Sequence, residues 1–252
     1  ILALAILAAC SDDEKPQDTV APTIKNVEIN DGGEYPTVTA GADMTLKAEV
    51  DDNELLQELK LEIHDIFDGH SHGKMSNTWE QIMILPLSGA NQSVTEVIPV
   101  LGTAIAGKYH VVLRAIDAEG NESDFVEKEF ILSNGNEPQI TVSNPSFGQN
   151  EVHAPKGSNF DLQGTITEDS DLEEVVIMIA KADHEGHAGK RSASTIFMTD
   201  FNLTGSNETS FDLGQVDITI PTDAETGHYE LSIVAKDNAG NYGLFIEEIH
   251  VM

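Results

Sequence analysis

The chain of 252 residues carries 44 acidic side chains against 13 lysines and arginines, a formal net charge of −31. That balance excludes a protein that grips nucleic acid or an anionic lipid surface, and it favours attraction of cations. With Cys10 as the only cysteine no intramolecular disulfide can form, so stability must come from apolar cores, and the length is ample for two of them.

Residues 1–9 are an apolar run far too short to cross a bilayer, and they read as the remnant of a secretory signal. Leu7-Ala8-Ala9-Cys10 resembles a bacterial lipobox, which implies that Cys10 is lipidated and opens the mature protein. Ser11-Asp12-Asp13-Glu14 follows, and acids at this place resemble the surface-export signal of Bacteroidota lipoproteins. The resemblance implies a protein anchored by lipid in the outer membrane and facing the cell exterior. Residues 10–20 are then a polar, flexible tether running to about Thr19.

From residue 21 onward the sequence repeats itself. Ala21-Pro22-Thr23-Ile24 is answered by Glu137-Pro138-Gln139-Ile140, and Gly107-Lys108-Tyr109 by Gly227-His228-Tyr229. Each copy closes on A-x-D-x-x-G-N, at Ala115 to Asn121 and at Ala235 to Asn241, a motif common in bacterial immunoglobulin-like modules. Apolar residues alternate at Tyr109, Val111, Leu113 and Ala115, and again at Tyr229, Leu231, Ile233 and Ala235. Period two, frequent turn signals and no long helical pattern predict an all-β fold: two tandem immunoglobulin-like Greek-key sandwiches over 21–133 and 137–252. The linker is Ser133-Asn134-Gly135-Asn136. The Gly-x-Tyr at the start of each sixth strand resembles a tyrosine corner.

The chemistry concentrates in two loops. Residues 64–72 hold His64, Asp65, Asp68, His70 and His72, with Gly69 and Gly73 for backbone freedom. In the usual strand order, Glu58 to Ile66 is strand C and Gly107 to Ala115 is strand F, antiparallel neighbours. Leu59, Leu61 and Ile63 face the core, so His64 faces outward; Tyr109 faces inward, so His110 also faces outward at the same end. Imidazole and carboxylate gathered in this way suit a divalent transition metal, zinc first, with Cu2+ and Ni2+ close behind. The second copy offers His184 and His187 in the matching loop and His228 at the start of strand F, with nothing to match His64. His153 and His250 receive no role. Ligand imidazoles must be neutral, so metal affinity is expected to fall as pH drops through about 6.5.

With its lipobox, its immunoglobulin-like repeats and the loop residues Asp68, Gly69, His70, His72 and Gly73, the chain resembles uncharacterised Bacteroidota surface lipoproteins with a DGHxHG-type loop. Such lipoproteins often work beside TonB-dependent transporters, which implies capture of metal for a partner of that kind. No catalytic residue is assigned, and an enzyme is not expected. The alternative functions are a calcium-stiffened adhesion or spacer and a glycan-binding accessory protein. For calcium, Asp51, Asp52, Asn53 and Glu54 before strand C should meet Asp117, Glu119 and Asn121 after strand F, and Glu168, Asp169, Asp171, Asp237, Asn238 and Asn241 repeat the arrangement. For a glycan platform, Trp79, Phe67 and Phe197 are the aromatics near candidate loops.

Overall fold

The computed structural model describes residues 17–30, 32–67, 78–148, 151–181 and 195–252. In the first module β1 (Thr23–Ile29), β3 (Asp43–Asp51) and β6 (Asn91–Pro99) form one sheet in the order β1-β3-β6. The facing sheet has the order β2-β8-β7-β4-β5, built from β2 (Thr37–Thr39), β4 (Leu56–Asp65), β5 (Gln81–Pro86), β7 (Gly107–Asp117) and β8 (Val126–Ser133). In immunoglobulin lettering these are A-B-E and A′-G-F-C-C′, with β2 running parallel to β8.

The second module repeats the plan. One sheet has the order β9-β12-β15, from β9 (Gln139–Asn144), β12 (Gln163–Thr167) and β15 (Ser210–Asp212). The other is β10-β18-β17-β13-β14, from β10 (Val152–Ala154), β13 (Leu172–Lys181), β14 (Thr195–Asn202), β17 (Gly227–Asp237) and β18 (Tyr242–Val251). Two short strands, β11 (Asn159–Phe160) and β16 (Ile218–Thr219), pair antiparallel as a separate two-stranded sheet. The tandem sandwich expected from the period-two pattern is the fold observed.

The alternation explains the burial. Tyr109, Val111, Leu113 and Ala115 on β7 are fully buried, and so are Leu59 and Leu61 on β4. Tyr229, Leu231, Ile233 and Ala235 do the same for the second core. Each core therefore closes between two sheets whose inner faces are apolar. The tyrosine corner is present twice: Tyr109 Oη donates to the Ile105 carbonyl at 2.9 Å, and Tyr229 Oη to the Glu225 carbonyl at 3.1 Å. Burial holds the Tyr109 hydroxyl well above the usual phenol range, so it stays a donor.

One expectation about aromatics is corrected. Trp79 is 4% exposed and belongs to the first core, its ring 6.4 Å from Tyr109 and 6.3 Å from Phe130. Phe197 packs against the second core. Phe67 lies edge-on to Tyr109 at 5.3 Å and tilted against Tyr242 of the second module at 4.7 Å. An indole of this size gains more from burial than from display, so these rings make no open sugar platform.

The modules are tied together, not strung on a loose linker. The Glu137 carboxylate accepts hydrogen bonds from Ser133 Oγ and from the backbone N–H groups of Asn134 and Gly135. Asn241 accepts from Ala106 N at 3.2 Å and Asn134 Nδ2 at 2.7 Å, and Tyr242 N donates to the Ala106 carbonyl at 2.9 Å. Tyr35 Oη donates to Glu230 at 2.9 Å, and burial with that carboxylate beside it pushes the phenol pKa up. Gly107 has to be glycine. Its φ is +150°, and a Cβ there would stand 2.3 Å from the Phe67 ring that reaches across to Tyr242.

Candidate metal centre

β4 ends where β7 begins, and the register between them pairs His64 with His110. Both side chains leave the outer face of the sheet, because Ile63 and Tyr109 beside them point into the core. The rings meet edge to face with centroids 4.0 Å apart. His110 Nε2 stands 2.7 Å from His64 Nε2 and 3.1 Å from its Nδ1, and that Nδ1 is 3.1 Å from the Asp65 carbonyl oxygen. His110 is only 2% exposed although it lies on the outer face.

A contact of 2.7 Å between ring nitrogens needs one N–H and one bare lone pair. Two imidazoles on one tetrahedral zinc at 2.0–2.1 Å place their nitrogens about 3.3 Å apart. Holding one such ion would require the pair to stand about 0.6 Å further apart than its 2.7 Å contact, and His64 is not fully buried. Asp68, His70 and His72 lie outside the described residues, as do His184, His187 and Cys10.

In the second module the row equivalent to His64 and His110 holds Ala180 opposite Glu230. His228 occupies the position of Lys108 instead, one residue before the corner tyrosine. Its ring stacks on His250 with centroids 5.0 Å apart and 7° between planes, and its Nδ1 is 2.7 Å from Glu248 Oε1. His153 lies on the other side of His250, 5.7 Å between centroids. Sequence reasoning left His153 and His250 without a role because it applied the neighbour rule to strands C and F alone. The same rule applied to A′, G and F would have aligned all three histidines.

The acids cluster at the other end of the first module, as the calcium alternative requires. Carboxylate oxygens of Asp18, Asp52 and Asp117 all lie within 4.8 Å of one another. Asp117 is buried; its Oδ1 accepts from Glu119 N at 3.0 Å and Asn121 N at 2.7 Å, and its Oδ2 from Asn121 Nδ2 at 2.7 Å. Asp18 is also buried, and its carbonyl accepts from Asn121 Nδ2 at 3.2 Å, so the chain at Asp18 is packed against this end of the module. Asp52 Oδ2 accepts from Glu54 N at 2.8 Å, while its buried Oδ1 has no hydrogen-bond partner among the described residues. A cleft of about 360 Å³ opens beside the cluster, lined by Asp18, Glu54, Leu55, Asp117, Ala118 and Glu119. In the second module, burial, a hydrogen bond with Asp169 and the charge of Asp237 hold the Glu168 carboxyl above its usual range.

These features define a tandem immunoglobulin-like β-sandwich protein with histidine and carboxylate side chains gathered at its strand ends. The chain belongs to the family described as domain of unknown function DUF4625, which matches it twice, over residues 8–129 and 124–252. The comparison with curated proteins finds no match. Among solved structures, it is similar to the fibronectin(III)-like modules of Clostridium thermocellum CbhA at 14% identity, covering 90% of this chain and 93% of that one, with a TM-score of 0.28. A tetra-tandem repeat from the extending region of a large adhesion protein shares 14% identity over 92% of this chain and 50% of that one, TM-score 0.35. The SGBP-B protein of the Bacteroides ovatus mixed-linkage glucan utilization locus, in complex with a mixed-linkage heptasaccharide, shares 13% over 92% and 48%, TM-score 0.27. The chain spans about half the length of the last two.

Proposed function

We propose that this is a lipid-anchored surface protein of a bacterial outer membrane that binds a divalent transition metal, zinc first, in its first module. His64 and His110 supply imidazole from adjacent strands, and Asp68, His70 and His72 of the following loop complete the set. Cys10 carries the anchor, and a TonB-dependent transporter is the class of partner that would receive the metal. The reading is of a binding protein rather than an enzyme.

The observation that supports it most is the His64–His110 contact of 2.7 Å across β4 and β7. Strand backbones fix the two Cα positions, so little entropy remains to be lost when an ion is bound. Calorimetric titration of the full chain with zinc is expected to give submicromolar binding at this module. His64→Ala with His110→Ala is expected to weaken it by about a hundredfold, since ligands matter at least as much as their supports. Unchanged affinity in the double variant would overturn the reading.

A second reading is favoured by the partnerless Asp52 Oδ1: calcium at Asp18, Asp52 and Asp117, stiffening the membrane-proximal end of an adhesion or spacer. Calcium at a hundredfold excess over its Kd should then raise the first module's unfolding temperature by on the order of 10 °C. Asp52→Ala should abolish that rise. Without calcium, the same variant should be no less stable than the parent, because it removes like-charge repulsion. A scan unchanged by calcium sinks this reading.

A further inference from the structure

Three adjacent strands of the second module each place one histidine in a single row of the larger sheet. His153 of β10 pairs with His250 of β18, and His250 pairs with His228 of β17. All three face outward, since Ala154, Ile249, Val251 and Tyr229 beside them are buried. Glu151 reaches into the row from one side. Its Oε1 is 3.3 Å from His250 Nδ1 and 4.0 Å from His228 Nδ1, and its Oε2 is 3.8 Å from His153 Nε2.

We propose that Glu151, His153 and His250 form a transition-metal site separate from that of the first module and independent of it. Donor atoms of the three lie within 4.8 Å of one another. The 3.3 Å between Glu151 Oε1 and His250 Nδ1 matches the edge of a tetrahedron around zinc, about 3.3 Å for ligands at 2.0–2.1 Å. His250 Nδ1 is shielded from solvent and has no hydrogen-bond partner among the described residues. A nitrogen so placed beside a carboxylate takes either a proton or a metal ion between the two, and the second imidazole of His153 on the same carboxylate favours the metal ion. Two imidazoles and one carboxylate leave a fourth position for water or for a donor on a partner.

His228 is a positioning residue in this arrangement. Its ring lies flat against His250, and Glu248, 2.7 Å from its Nδ1, holds it there. The two histidine ligands sit on neighbouring strands of one sheet, β10 and β18, and Glu151 immediately precedes β10, so the imidazoles are spaced by the sheet.

The test is a zinc titration of the full chain, read by calorimetry and by the backbone amide resonances of Val152–Ala154 and Ile249–Val251. Those amides are expected to shift saturably with one zinc equivalent. His153→Ala with His250→Ala is expected to remove that equivalent, weakening it by about a hundredfold, while Glu151→Gln and His228→Ala each weaken it by about tenfold. His153 is half exposed and His250 a quarter, so the double variant should keep its melting transition, which circular dichroism verifies. Retention of the equivalent in the folded double variant would overturn the proposal, and so would its loss on changing His184 and His187 alone. Zinc bound at His64 and His110 persists in every one of these variants, so failure here is distinguishable from failure of the first site.

Discussion

Trp79→Ala is expected to destabilise the first module by about 3–5 kcal/mol, the range for removing a buried large aromatic. Trp79 is 4% exposed, and its ring packs with Tyr109 and Phe130, which stack on each other at 5.7 Å. Removing the indole leaves a cavity that fully buried Tyr109 and Phe130 cannot fill without leaving their own rotamers. The backbone N–H of Trp79, which donates to Tyr109 Oη at 3.3 Å, survives the substitution, so the loss reports packing alone. Urea unfolding measures it, with a drop in midpoint at nearly constant slope. A cost below about 1 kcal/mol would mean the ring is a surface residue, as a sugar platform needs.

Asp237→Ala is expected to cost the second module about 2–4 kcal/mol and also to loosen its union with the first. Asp237 is buried and accepts from Asn241 N and Asn241 Nδ2, both at 2.8 Å. Hydrogen bonds to a charged group contribute roughly 1.5–3 kcal/mol each, and the orphaned donors add a penalty. Relief of the repulsion that raises the Glu168 carboxyl offsets part of the loss. Asn241, once released, no longer presents its oxygen to Ala106 N and Asn134 Nδ2. Asp117→Ala makes the matching loss in the first module, where Asn121 holds the backbone of Asp18 in place of a neighbouring module. Chemical unfolding with small-angle scattering separates the two variants. Scattering that broadens for Asp237→Ala and stays unchanged for Asp117→Ala is the expected result; equal behaviour would remove the junction role of Asn241.

The hydrogen bonds of the A-x-D-x-x-G-N motif give it a role that its letters alone did not reveal. In both copies the aspartate folds the turn back on itself, and the asparagine then grips the chain that precedes its own module: the Asp18 carbonyl in one case, the Asn136 carbonyl in the other. The sandwich, the C–F neighbourhood and the double tyrosine corner were legible because period-two burial and a Gly-x-Tyr both have strong local causes. Trp79 could be named from the sequence only as an aromatic near a candidate loop, because its place in the first core is decided by packing against Tyr109 and Phe130, which are far from it in sequence. His153 and His250 were passed over because each is a lone histidine in its own strand. Only the parallel pairing of β10 with β18, a contact between residues almost a hundred positions apart, brings them together.

The most direct measurement of the central claim is a zinc titration of the uniformly 15N-labelled chain, observing imidazole nitrogens through long-range couplings. At the first equivalents, the ring nitrogens of His64 and His110 are expected to move together to metal-bound positions, with no proton left on the coordinated nitrogens. Binding that moves other histidines while His64 and His110 keep their 2.7 Å contact unchanged would contradict it.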